Sequence, residues 1–94
     1  MIFQVFAKEN CEICQKAQDV LSRAGVVPEV RYVEGTAATP ENLADFAWFD
    51  WTDTPPLVVA IDGDRIVGRW AGADIIKEAW LPKVRSWLAE HQPA

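Results

Sequence analysis

Two cysteines and one histidine are all the thiol and imidazole groups that this 94-residue chain carries. Zinc takes four protein ligands in structural sites, and beside Cys11 and Cys14 only His91 could add a plausible nitrogen. No resident metal is therefore expected. Cations are also scarce: nine Lys and Arg face fourteen Asp and Glu, for a formal charge of −5. A nucleic-acid partner needs clustered Lys and Arg to displace counterions, so none is expected. Acidity of this kind bears on solubility and identifies no partner. No apolar run approaches the roughly 18 residues of a membrane span, and no membrane association is expected. Repeats, low-complexity tracts and linkers are missing too. Residues 1–94 are accordingly expected to form one domain, with a hydrophobic content of 50% sufficient for a small core. The start, Met1 to Phe6, has no basic lead and strand-like character, which points to a cytoplasmic location.

What is present is concentrated in Cys11-Glu12-Ile13-Cys14. In the cytoplasm structural disulfides rarely persist, and a lone Cys-x-x-Cys beside a βαβ pattern indicates redox chemistry. The pair falls where a strand-like run, Ile2 to Phe6, gives way to a helix-like run beginning at Cys11. A thiol there faces unpaired backbone N–H groups and the positive end of the helix dipole, and both favour the nucleophilic thiolate. A second thiol three residues on lies about one turn below, within reach of a disulfide. Lys8 would reinforce the ionisation of Cys11, whereas Glu12 would oppose it.

The remaining elements follow from periodicity and punctuation. Lys8-Glu9-Asn10 is a polar loop with Asn10 an acceptable N-cap. Ile13, Ala17, Val20, Leu21 and Ala24 recur at helical spacing, and Gly25 supplies the stop. Pro28 to Val33 has strand character. Thr39 and Pro40 open a second helix whose inward stripe is expected to be Leu43, Phe46 and Ala47. Trp48, Phe49 and Trp51 crowd its end, and at least one of them is expected to face the cysteines as an apolar rim. Leu57 to Ile61 is a strand that turns at Asp62-Gly63-Asp64 into a partner strand, Arg65 to Trp70. Asp74 can cap a last helical region from Ile75 to about Glu90, with a kink or break near Leu81 caused by Pro82. Trp70, Trp80 and Trp87 are expected to pack between the last strand and the final helices, and His91 to lie on the surface. The order β-α-β-α-β-β-α predicts an α/β fold: a four-stranded mixed sheet, a parallel pair extended by an antiparallel hairpin, with helices on both faces.

With these motifs in this order, the chain resembles the glutaredoxin and thioredoxin superfamily, most closely its short glutaredoxin-like members. The resemblance is carried by the cysteine loop with Lys8 three residues ahead, by Thr54-Pro55 before the strand Leu57 to Ile61, by the hairpin, and by Gly72-Ala73-Asp74. Glu12 and Ile13 replace the family's usual proline and aromatic, and Ala71-Gly72-Ala73-Asp74 lacks its double glycine and paired acids. Val59-Ala60 and Trp70-Ala71-Gly72 are similar to the thioredoxin-reduced redoxins that serve ribonucleotide reductase.

The resemblance implies a thiol–disulfide oxidoreductase with no bound cofactor, taking part in electron transport and cell redox homeostasis. It would act as a monomer on protein disulfides or glutathione mixed disulfides. Cys11 would attack and Cys14 resolve. Glutathione as co-substrate, or a thioredoxin reductase, would supply electrons. Lys8, Thr54, Pro55, Gly72 and Asp74 are the implied substrate-binding residues, with Pro55 at the place of the family's cis-proline and Asp74 facing the amino group of glutathione. Two alternatives stay open: a Cu(I)-handling Cys-x-x-Cys module, and a redoxin that depends on thioredoxin reductase.

Overall fold

Strand β1 (Ile2–Lys8) and helix α1 (Glu12–Arg23) are followed by β2 (Glu29–Glu34) and α2 (Pro40–Phe49). After these come β3 (Leu57–Asp62), β4 (Arg65–Ala71), the single turn α3 (Gly72–Ile75) and α4 (Trp80–His91). This computed structural model describes residues 1–49 and 56–91. The four strands form one sheet in the order β2-β1-β3-β4. β1 runs parallel to β2 and antiparallel to β3, and β3 pairs antiparallel with β4.

Side-chain alternation divides the strands between two layers. Phe3, Val5 and Ala7 of β1, with Val58 and Ala60 of β3, face α1, α3 and α4 and meet Ala17, Leu21, Ile75, Trp80, Val84 and Leu88. The opposite face carries Phe6, Val33, Leu57 and Val59. Burial on both faces is why β1 and β3 show so little polar alternation in sequence.

Helix α1 ends as Gly25 foretold. Gly25 has φ +83, and the Val26 N–H donates to the Leu21 carbonyl while the Gly25 N–H donates to that of Ser22. This is the paired closure that a glycine just past the cap allows. Thr39 caps α2 through its hydroxyl, 3.1 Å from the Asn42 nitrogen. Gly63, with φ +65, opens the two-residue loop between the paired Asp62 and Arg65, a site that favours glycine.

Helix α2 departs from expectation. Only Phe46 of the expected stripe is buried; Leu43 is 49% exposed and Ala47 lies outward. The helix is instead held by polar groups around Arg31 of β2. The Arg31 guanidinium donates to Asn42 Oδ1 at 2.8 Å and Gln4 Oε1 at 3.3 Å, and it pairs with Asp45 at 2.6 Å. Its Cζ also lies 5.2 Å from the Phe6 ring centroid. Asn42 in turn donates to the Tyr32 carbonyl. A half-buried guanidinium with this many partners substitutes for an apolar stripe.

The final helical region is two helices, and the break precedes Trp80 rather than falling near Leu81. Pro82 sits in the first turn of α4, where its missing N–H would have no intrahelical partner in any case. Asp74 lies within α3, and its carboxylate accepts the Ala71 N–H at 3.1 Å.

Trp70, Trp80 and Trp87 pack as expected. Trp70 stacks near Phe3 and meets Trp87 edge-on, with ring centroids 5.2 Å apart; Trp80 is buried against Trp70. His91 is exposed and stacks on Trp87. Gly68 leaves the space for this cluster, since a Cβ there would lie 2.6 Å from Trp70 Cη2 and 2.9 Å from Trp87 Cζ2. Gly68→Ala should therefore destabilise the protein by about 1–3 kcal/mol through overpacking. Urea unfolding followed by tryptophan fluorescence would register this as a lower midpoint at unchanged slope.

Candidate functional site

The site begins where β1 ends. The chain leaves the sheet at Lys8, reverses through Asn10 in the left-handed region (φ 55), and enters α1. Asn10 is not the cap: Cys11 is, with extended dihedrals and its sulfur accepting the Cys14 N–H at 3.1 Å. One of the helix's free N–H groups thus points at the sulfur. Any negative charge that forms there is favoured by the same bond and by the helix dipole.

Cys11 and Cys14 are joined as a disulfide with Cα atoms 5.2 Å apart. Their surroundings differ sharply. Cys11 is partly buried, while Cys14 is 2% exposed and belongs to the core with Ala17, Leu21 and Ile75. An open cavity of about 560 Å³ lies beside the pair, lined by Lys8, Glu9, Asn10, Glu12, Gln15, Gln18 and Tyr32 as well as by both cysteines. Two carboxylates, one ammonium and three amides give it a polar wall beside the one accessible sulfur.

The glutaredoxin family pattern matches residues 3–66, more than half of the chain and including both cysteines. This chain belongs to the glutaredoxin family. Its fold is similar over nearly its whole length to thioredoxin 1 from the thermophilic eubacterium Thermosipho africanus TCF52B, with a TM-score of 0.62. The two are 20% identical over 97% of this chain and 93% of that one. No curated protein matches the chain. Family membership and the linked cysteine pair together support thiol–disulfide oxidoreductase chemistry.

In this glutaredoxin-family chain, Lys8 shares the cavity with Cys11 and is exposed. Gly72 and Asp74 do not line it. They lie on α3, which is tied to α1 by the Lys16 ammonium donating to the Ile76 carbonyl at 2.8 Å. Gly72 abuts Pro56, with 3.5 Å between Pro56 Cδ and a notional Cβ, so Gly72 flanks the segment that enters β3. Thr54, Pro55 and Trp51 lie outside the described residues. Trp48 is 79% exposed and does not line the cavity beside the cysteines. Among the described residues, no group of three or more His, Cys, Asp or Glu is placed to hold a metal ion. No helix among them is long and apolar enough to cross a membrane.

Glu9 was not anticipated from sequence. Its Oε1 accepts both the N–H of Thr36, at 2.9 Å, and the Thr36 hydroxyl, at 2.8 Å. The available signal was topological: β1 and β2 are parallel, so the residues that follow each strand emerge side by side. The Thr36 hydroxyl, followed by its N–H, holds the Glu9 carboxyl below its ordinary value of 4.5. A carboxylate whose folded value is depressed contributes fully above the ordinary value, and the contribution fades as pH falls through the depressed one. The Thr36 amide proton shift should accordingly titrate with a midpoint below pH 4.5. In Glu9→Gln that titration should vanish from the NMR spectrum.

Proposed function

We propose that this chain reduces protein disulfides and glutathione mixed disulfides, with Cys11 as nucleophile and Cys14 as resolving thiol. The observation that carries this reading is the unequal exposure of two linked sulfurs, the accessible one being the cap of α1. In the reduced chain, the Cys11 thiolate attacks one sulfur of the substrate disulfide. A Cys11–substrate bond forms and the other substrate sulfur leaves as thiolate. Cys14 then gives up its proton and attacks the Cys11 sulfur. The Cys11–Cys14 bond forms, and the second substrate sulfur leaves with its electron pair. Two electrons pass to the substrate, and a thiol donor returns two to the chain.

Lys8 is assigned to a substrate carboxylate, a role supported by its sharing the cavity with Cys11, and Gly72 and Asp74 are assigned to the far end of a substrate that crosses toward α3. The Thr54 backbone is assigned to pairing with an extended substrate segment, with Pro55 shaping that turn. Glutathione or a thioredoxin reductase supplies the electrons, and the chain acts as a cytoplasmic monomer. The β-α-β-α-β-β order supports this over a Cu(I) carrier, for which a βαββαβ order is expected.

The donor is identified by supplying glutathione with glutathione reductase in one assay and thioredoxin reductase in another, each with a glutathionylated peptide and with insulin. Cys11→Ser should abolish turnover on both substrates. Cys14→Ser should retain turnover on the glutathionylated peptide, where a second glutathione can resolve the intermediate, and lose it on insulin. Activity surviving in Cys11→Ser would overturn the assignment of roles.

Glu12 adds a negative charge next to Cys11 in the first turn of α1. Two unit charges about 6 Å apart in water interact by about 0.7 kcal/mol, a factor of roughly 3. Glu12→Gln should therefore speed iodoacetamide alkylation of the reduced protein at neutral pH by roughly twofold, the gain in thiolate being partly offset by its lower nucleophilicity, measured by mass spectrometry at Cys11.

A further inference from the structure

Only Glu9 and Asn10 separate the last residue of β1 from the cap of α1. Asn10 takes a left-handed conformation, which asparagine tolerates better than most non-glycine residues, and the loop is also held from outside. The hold comes from Glu9. Its carboxylate receives two donors from Thr36, and its stem lies across Gly35. A Cβ at Gly35 would overlap Glu9 Cδ and come within 2.6 Å of Cγ, and Gly35 itself has φ +94. Two neighbours are thus adjusted to one side chain: Gly35, which makes room, and Thr36, which supplies a backbone N–H and a hydroxyl. Glu9 also lines the cavity that Cys11 opens into.

We propose that Glu9, clamped to Thr36 and seated over Gly35, is a positioning residue that anchors the loop presenting the Cys11 sulfur. The proposal rests on Cys11 being the nucleophile. Displacement at sulfur requires the attacking atom in line with the bond that breaks, and small misplacements of a reacting group cost rate rather than binding. The clamp ties the two residues before the nucleophile to the end of β2, a strand paired directly with β1. It therefore sets the sulfur against the rigid sheet without touching substrate at the reacting atoms. It also commits the Glu9 charge to two donors.

The test uses the full chain reducing insulin disulfides with dithiothreitol as donor. Thr36→Val keeps the backbone donor and removes the hydroxyl, and because Thr36 is exposed the variant should fold. Its kcat should fall about tenfold with KM within about twofold of wild type. Thr36→Ser, which retains both donors, should restore kcat to within about twofold. Glu9→Ala should lose at least as much as Thr36→Val, and the double variant no more than Glu9→Ala, as expected of two groups acting as one. The proposal is overturned if Thr36→Val matches wild type, if Thr36→Ser falls as far as Thr36→Val, or if the loss appears in KM alone. A wild-type chain without turnover would overturn the proposed function itself, and the clamp's role with it.

Discussion

A helix starts with N–H groups that no preceding carbonyl can satisfy, and at the head of α1 the acceptor for one of them is sulfur. The bond from the Cys14 N–H to Cys11 Sγ couples folding to chemistry. The geometry that starts the helix also places a donor on the atom that would carry negative charge as a thiolate. Cys14 contributes that N–H and, on the same residue, the partner sulfur. Its own side chain is packed into the core by Ala17, Leu21 and Ile75. Moving α1 relative to the sheet would disturb the cap, the donor and the second thiol together.

The two faces of the sheet serve this arrangement unequally. Beneath α1 and α4 the contacts are apolar and aromatic, and Gly68 gives way so that Trp70 and Trp87 can meet. Under α2 a small apolar cluster is supplemented by Arg31 and its partners. Hydrogen-bonded ion pairs fix direction more strictly than they add stability, so that face gains orientation for α2 more than cohesion. The element carrying the cysteines rests on the face with the deeper core.

Much of the fold was legible because the elements around the cysteines are governed by local rules. Double-sided burial gave β1 and β3 their apolar runs, helical spacing marked α1, and glycines ended it and turned the hairpin. Errors arose where a partner distant in sequence intervened. Counting apolar positions on α2 pointed to Leu43 and Ala47, but Arg31 on β2 drew Asn42 and Asp45 to the sheet instead. Residue preference named Asn10 as the cap of α1, and a cysteine one residue later took the position. Pro82 was expected to break a helix that it helps to begin. At the site, the spacing of the cysteines announced itself, whereas Glu9 is explained by a residue 27 positions away. Nothing near Glu9 in sequence specifies that contact.

The enclosure of Cys14 also bears on oxidative damage. In the reduced chain, a peroxide arriving from solvent would meet Cys11 first and convert it to a sulfenic acid, the one early oxidation product that a neighbouring thiol can rescue. Cys14 stands one turn away, shielded from the same oxidant, and can condense with that sulfenic acid, expelling water and forming the intramolecular bond already seen. Such a condensation would divert the more accessible sulfur from irreversible sulfinic and sulfonic products into a form that an ordinary reductant restores.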